Sequence, residues 1–490
     1  MAPAPSRRFD EPPLPFAKPA ASIALAPLLL LSACALQPPY KRPPLDVANA
    51  WDNAVAATPA IPLDDRWWTQ LGDPAVDHLV AAGLADSPTL AEAAARVDQA
   101  RAARVVQHAR RLPAVAATGS AQRSRDGAAP GQAAADQTSA GIGASLSWEL
   151  DPWGRVREGR AAAESRVTAS TADAEAVRLA LIGDIADTTL ALRACHLTLD
   201  LRDRDIASRR TELQVTRARL ALGGIAPVAV ATAASNLATA QTDRIAQEEA
   251  CRRLVDALVA LTGEDGAAIR AAAAQGASAG SLPSPPAFTP QVPAAVLIRH
   301  PAVLSAEREA AARWSEIAEA RADRLPRIDL TAAFSQQWIR ALGATDGFLT
   351  RSLGAGLTGP LFDGGAGAAN VRGADARYRE AVARLDGVVR VVVRDIEDGL
   401  AAQQSAADRT DTSQAALESA RMTLDANSAR WRAGAIAQVE LEESRRQFNR
   451  AQESVIAATA DRARAWVALV RRSGGAWTAP PSSQHEEGRP

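Results

Sequence analysis

The chain has 490 residues and is close to neutral, with 55 lysines and arginines against 56 aspartates and glutamates, a formal charge of -1 that excludes the basic excess a nucleic-acid partner requires. Hydrophobic residues make up 47% but aromatic ones only 4%, so the apolar content is largely alanine, valine and leucine, which suits close helix packing in one extended architecture better than several aromatic-cored domains.

Residues 1–33 read as a signal peptide: Arg7, Arg8 and Lys18 precede the apolar run "ASIALAPLLLLSAC", which is too short to span a membrane as a helix. Its end, Leu31, Ser32, Ala33 and Cys34, resembles the lipobox of bacterial lipoproteins. That resemblance implies cleavage before Cys34, lipidation of its thiol and an extended segment over 34–75; Ala35 resembles the residue found after the cysteine in lipoproteins sorted to the outer membrane. No later stretch has the run of about eighteen apolar residues of a spanning helix, so any membrane crossing must use strands.

The remainder is written twice. Pro88 answers Pro301 and Pro113 answers Pro326 at an offset of 213, Asp151 answers Asp363 at 212, and Gly223 answers Gly434 at 211. Four anchors in one order predict two halves of one topology, repeat 1 over 76–265 and repeat 2 over 291–472, with a loose linker at 266–290 and a disordered Gly/Pro/Ser-rich tail at 473–490. In each half two strand-like segments come first. They fall at about 114–123 and 141–150, then at about 327–339 and 349–362, with apolar residues such as Ile328, Leu330 and Phe334 alternating with polar ones. About ten residues of such alternation with aromatics toward one end is the signature of a membrane β-barrel strand.

A helical hairpin follows, about 158–262 in the first half and about 368–470 in the second. Ile185, Leu192, Leu199, Ile206, Leu213 and Leu220 recur every seven residues, a coiled-coil seam; the second half keeps Ile396, Leu417, Leu424 and Trp431, while Gln403 and Thr410 dilute it. "RLALGGIAPVAVA" (Arg219 to Ala231) and "RWRAGAIAQVELE" (Arg430 to Glu442) mark the reversals, since glycine can take the left-handed conformation that ends a helix and Pro227 suits the first turn of the next. In an antiparallel hairpin, Cys195, 28 residues before Gly223, faces Cys251, 27 after Gly224, and an oxidising periplasm would join them, the alternative being two buried free thiols; Ala406 and Arg462 occupy the equivalent places in repeat 2.

Nothing points to an enzyme, a cofactor or a metal site: His78, His108, His196, His300 and His485 are scattered, and "GGAGAAN" after Phe362 lacks the spacing and lysine of a phosphate loop. An adaptor or other periplasmic coiled-coil protein would show one hairpin within one β domain, whereas this chain shows two hairpins and two strand pairs.

"RWWTQLGDPAVDHLVAAGLADSPTL" (Arg66 to Leu90), the two "RLP" strand openings, "WELDPWG", "PLFDGG" and the duplicated glycine turns together resemble the TolC-like outer-membrane factors, in their lipidated, OprM-like (NodT) branch. The resemblance implies an α+β membrane fold, mostly helical, in a homotrimer: four strands per chain enter a shared 12-stranded barrel and the hairpins form a periplasmic α-barrel. It implies no enzyme but a passive exit duct in the outer membrane, fed by an inner-membrane pump, proton-driven, through a periplasmic adaptor; the outer-membrane component of type I protein secretion is the alternative. By the same resemblance Gly223, Gly224, Gly434 and Ala435 meet the adaptor, and Val439, Glu440 and Glu443 line the aperture gate. The alternative reading of those glutamates is a solvated face beside Arg445 and Arg446.

Overall fold

The computed structural model describes residues 37–54, 63–126, 135–274, 281–341 and 344–477. The signal peptide, the lipidation candidate Cys34 and the tail from 478 onward lie outside the described residues. In chain order the elements are a 3-10 turn (Trp67–Leu71), α1 (Pro74–Ala85), α2 (Pro88–Ala109), β1 (Ala114–Asp126), β2 (Ala135–Leu150), α3 (Arg155–Ala221), α4 (Pro227–Thr262), α5 (Gly266–Ala274), α6 (Pro293–Arg299), α7 (Pro301–Ala322), β3 (Arg327–Ala341), β4 (Ala344–Thr358), α8 (Ala366–Arg432) and α9 (Gln438–Arg472). They fall into two compact units, one built on Arg110–Glu158 and Ala318–Val371, the other on Tyr40–Ala109, Gly159–Ile317 and Arg372 onward.

The first unit is an antiparallel sheet of order β1-β2-β3-β4, which leaves β1 and β4 at its edges. Residues paired across strands share a face, and the register sorts the side chains. Val115, Ile142, Leu146, Leu330, Phe334, Trp338, Leu349, Leu353 and Leu357 stand on one face; Thr118, Ser120, Gln122, Ser139, Ser145, Thr331, Ser335, Gln337 and Ser352 stand on the other. All nine of the apolar set except Leu146 and Leu330 are exposed in the single chain. The strands run longer at their turns than the alternation predicts: β2 begins at Ala135, not near 141, and β4 at Ala344, not near 349. Those extra residues, "ADQTSA" and "ATDGF", are mostly polar or small, so apolar alternation does not mark them, but the backbone ladder continues through Arg125↔Asp136 and Arg340↔Thr345. β4 also stops at Thr358 rather than 362, because Pro360 has no N–H to give a ladder. At the far end Asp151 and Asp363, the repeat mates, each cap the helix that follows. Asp151 accepts from the Arg157 N–H at 2.8 Å, and Asp363 from those of Gly365 and Gly367 at 2.8 and 2.7 Å.

α3 and α8, which lie in the second unit except for their first residues, are each 67 residues, about 100 Å at 1.5 Å per residue. α4 and α9, with 36 and 35, return along them. The seam of α3 is packed: Ile185, Leu192, Ile206 and Leu213 are buried, Leu199 and Leu220 half-buried. In α8 Ile396 is buried and Leu417 and Leu424 are half-buried, while Trp431 is exposed near the tip. The diluting Thr410 is used rather than wasted, because its hydroxyl reaches Ala406 O at 2.8 Å and, across the hairpin, Ala458 O at 3.2 Å.

Three stretches depart from expectation. The linker 266–290 opens with a helix, α5, whose N-cap Asp265 accepts from the Ala267 and Ala268 N–H groups at 2.8 Å and whose Ile269 is wholly buried. The segment 34–75 is not extended throughout: Trp67 and Trp68 enter the main core, Trp67 at 5.8 Å from the Trp466 ring. The tail begins later than 473, since Ser473 and Gly475 continue the cap of α9 through bonds to Leu469 O and Val470 O. A fully buried ion pair ties this core together. Asp73 caps α1 by accepting from the Ala75 and Val76 N–H groups, and the Arg193 guanidinium of α3 donates to it at 2.7 Å while also reaching Ala273 O of α5 at 3.4 Å.

Candidate functional site: the hairpin tips

Both hairpins reverse by one device. At the end of α3 the Gly224 N–H donates to Arg219 O and the Gly223 N–H to Leu220 O, both at 2.9 Å; at the end of α8 Ala435 donates to Arg430 O at 2.8 Å and Gly434 to Trp431 O at 2.9 Å. This pair of bonds caps a helix through a left-handed residue, and Gly223 and Gly434 have φ of 74° and 72°. Two residues of turn then lead to an extended N-cap, Ala226 with ψ 149° or Ala437 with ψ 155°, and the return helix starts. Gly223, Gly224, Gly434 and Ala435 are all exposed, and a methyl group on Gly223 or Gly434 would touch nothing within 4 Å. Backbone conformation, not crowding, therefore calls for glycine there.

The three gate candidates occupy the first two turns of α9, Val439 and Glu443 one turn apart on one face. Val439 and Glu440 stand in solvent, whereas the Glu443 carboxylate is held by Arg446, whose Nη2 and Nε donate at 2.6 and 3.0 Å. That guanidinium keeps the Glu443 carboxyl below the usual carboxylate range.

The charged residue that the sequence reading passes over is Glu442. It is 4% exposed and takes a bond from Arg445 Nη1 at 2.6 Å, and burial, aided by the Glu212 charge of α3, pushes its pKa up. Its signal is weak: it follows the buried Leu441 and precedes Ser444, which accepts from Asn427 Nδ2 across the hairpin at 2.6 Å. Only knowing which helix lies beside α9 makes position 442 an inward one.

α9 packs on α3 through a ladder of polar contacts. Arg471 meets Asp184 at 2.6 Å, Arg464 clasps Asp187 at 2.8 and 2.9 Å, and Asn449 Nδ2 reaches Asp205 at 3.0 Å. The first hairpin carries a covalent tie instead. Cys195 and Cys251 are disulfide-bonded with their Cα atoms 5.6 Å apart, both buried beside Val255 and Leu258. Among the described residues no cluster of His, Cys, Asp and Glu could hold a metal ion.

Comparison with known proteins agrees with this arrangement. The model of the family described as "Outer membrane efflux protein" matches residues 79–264 and 292–475, one segment per repeat. The chain is 29% identical to outer membrane protein OprJ of Pseudomonas aeruginosa, over 94% of this chain and 97% of that one. It is 28% identical to the pyoverdine export outer membrane protein OpmQ of Pseudomonas putida, over 93% and 98%. The crystal structure of a membrane protein from Pseudomonas aeruginosa superposes with a TM-score of 0.79 at 28% identity, covering 90% of this chain and 100% of that one. With both repeats matched in order, the chain belongs to the outer membrane efflux protein family and is a protein of the outer membrane.

Proposed function

We propose that three copies of this chain form the passive exit duct of a tripartite efflux system, closed in the membrane as one barrel of twelve strands. The observation that carries this reading is the sheet: four strands, one mainly apolar face on which Arg351 lies beside Phe334, one mainly polar face that also holds Ile339 and Phe348, and two open edges. In hydrocarbon every edge N–H and C=O must be satisfied, and four strands are too few to curl around a lumen. Joining β4 of one copy to β1 of the next removes every edge and turns the apolar faces to lipid and the polar faces to the passage. The hairpins of α3–α4 and α8–α9 then extend into the periplasm, and their glycine tips, at Gly223, Gly224, Gly434 and Ala435, meet an adaptor that couples the duct to an inner-membrane pump. Val439, Glu440 and Glu443 narrow the passage near the second tip, as three copies of an apolar side chain and of two carboxylates that favour cations. Cys34 anchors each chain through lipid.

Two experiments test the reading. Membrane fractionation of cells expressing the full chain should place it in the outer-membrane fraction, extractable only by detergent and running as a trimer before heating; recovery as a soluble monomer would contradict it. Labelling with a palmitate analogue should mark wild type and leave Cys34→Ser unmarked, and equal labelling would remove the anchor.

A further inference from the structure

The sheet sorts charge as well as hydropathy between its faces at the end that carries the strand turns. On the apolar face the last rows are Arg123↔Thr138, Thr138↔Arg340 and Arg125↔Asp136. Three arginines against one aspartate leave +2 per chain there. On the opposite face the same end has Asp346, and so carries negative charge. The sequence between the strands, 127–134 "GAAPGQAA" and 342–343 "LG", contains no charged residue. Asp136 is shared, its carboxylate 3.3 Å from Arg123 and 3.6 Å from Arg125, and all three arginines are exposed. One row nearer the helices Trp338 stands on the same face, beside Ala140 and Gly347, where an aromatic ring marks the border of a hydrocarbon layer.

We propose that Arg123, Arg125 and Arg340 form a phosphate-binding girdle that holds the phosphorylated glycolipid of the outer leaflet, lipid A, against the outside of the duct. The inference rests on the barrel reading, which turns the apolar face to lipid and the strand turns away from the periplasm. Guanidinium groups just above an apolar band meet phosphates at headgroup depth, and their planar donors suit the oxygens. Asp136 holds two of them in place without neutralising the set. Asp346 faces the passage instead, so the same end presents opposite charge to lipid and to the lumen. Two polar strand residues that no buried core requires, Asp136 and Thr138, are thereby explained as the scaffold of this girdle.

The test is native mass spectrometry of the detergent-purified full-length protein with added bis-phosphorylated lipid A, its dephosphorylated form, phosphatidylglycerol, or inorganic phosphate as competitor. Wild type should retain the phosphorylated glycolipid in preference to the other two lipids. R123Q/R125Q/R340Q should bind it about tenfold or more weakly, the order expected when several basic groups leave an anionic headgroup. R340Q alone, a mild change at an exposed position, should weaken it about fivefold, and Asp346→Asn on the other face should leave it unchanged. Equal binding by the triple variant, equal retention of phosphatidylglycerol or of the dephosphorylated lipid, or displacement by millimolar phosphate would each overturn the proposal. If the triple variant fails to assemble, the R340Q comparison decides. The trimer is checked first without lipid: a wild type that is not a membrane trimer sinks the duct, whereas an intact trimer indifferent to the arginines sinks the girdle alone.

Discussion

Glu442 and Glu443 are chain neighbours with opposite environments, and pH separates them. Burial raises the Glu442 carboxyl, so the folded hairpin holds that proton to a higher pH than the unfolded chain does. Its contribution is most favourable at acid pH and falls as pH rises through the range above the ordinary carboxylate value. Glu443 behaves conversely: Arg446 lowers it, so its pairing is present above the ordinary carboxylate range and is lost only as pH falls below it. Amide exchange at the start of α9, corrected for intrinsic rates, should show the tip loosening as pH rises above the ordinary carboxylate range. Glu442→Gln should flatten that profile, and an unchanged slope would mean that another group sets it. The buried pair of Asp73 and Arg193 makes a second prediction at this scale. Arg193→Ala strands a carboxylate with no water to solvate it and should cost about 3–5 kcal/mol. The midpoint of thermal or denaturant unfolding checks this, and a loss below about 1 kcal/mol would show that water reaches the site.

Helices and turns carry the next set of expectations. The disulfide closes a loop with a sequence separation of 56 residues, for which chain entropy gives a stabilisation of about 4 kcal/mol. Only the first hairpin has it; Ala406 and Arg462 stand at the equivalent places in the second. Cys195→Ser/Cys251→Ser should therefore speed exchange in α3–α4 and leave α8–α9 as it was, and uniform loosening of both would show that the hairpins open together. At the tips Gly223→Ala and Gly434→Ala should each cost about 1 kcal/mol, the price of a left-handed alanine, with no added clash. Loss of adaptor binding with unchanged stability would instead assign these glycines to the contact itself.

These elements also show what the sequence makes legible. The seven-residue seam and the paired glycine turns are local patterns and reappear in the structure, the seam buried toward the middle of the helices and open at Trp431 near the tip. The strand ends were not legible, because Asp136, Gln137 and Thr138 lack apolar alternation and are held by ladder bonds to a partner strand. α5 was not legible from apolar periodicity: "GAAIRAAAA" has a single large apolar residue, Ile269, and its helix rests on alanine propensity together with the burial of Ile269, Ala272 and Ala273. Asp265 before the alanine run was the one local sign. At the tip, the period of α9 marks Leu441 as inward but not Glu442, whose burial depends on the neighbouring helix.

At the scale of the whole molecule, the central claim is that chain after chain joins β4 to β1. Within one chain β1 and β4 are separated by β2 and β3, about 14 Å at the spacing of neighbouring strands, well beyond the Cα separation a disulfide can bridge. Cysteines placed along both edges, for instance Ala117→Cys with a scan over Leu349→Cys to Ala355→Cys, can therefore link only different copies. Oxidation in intact membranes should give covalent dimers and then trimers at one register of the scan, with nothing larger than a trimer. Absence of any linked species across the scan, or a ladder running past three copies, would contradict a closed twelve-stranded duct.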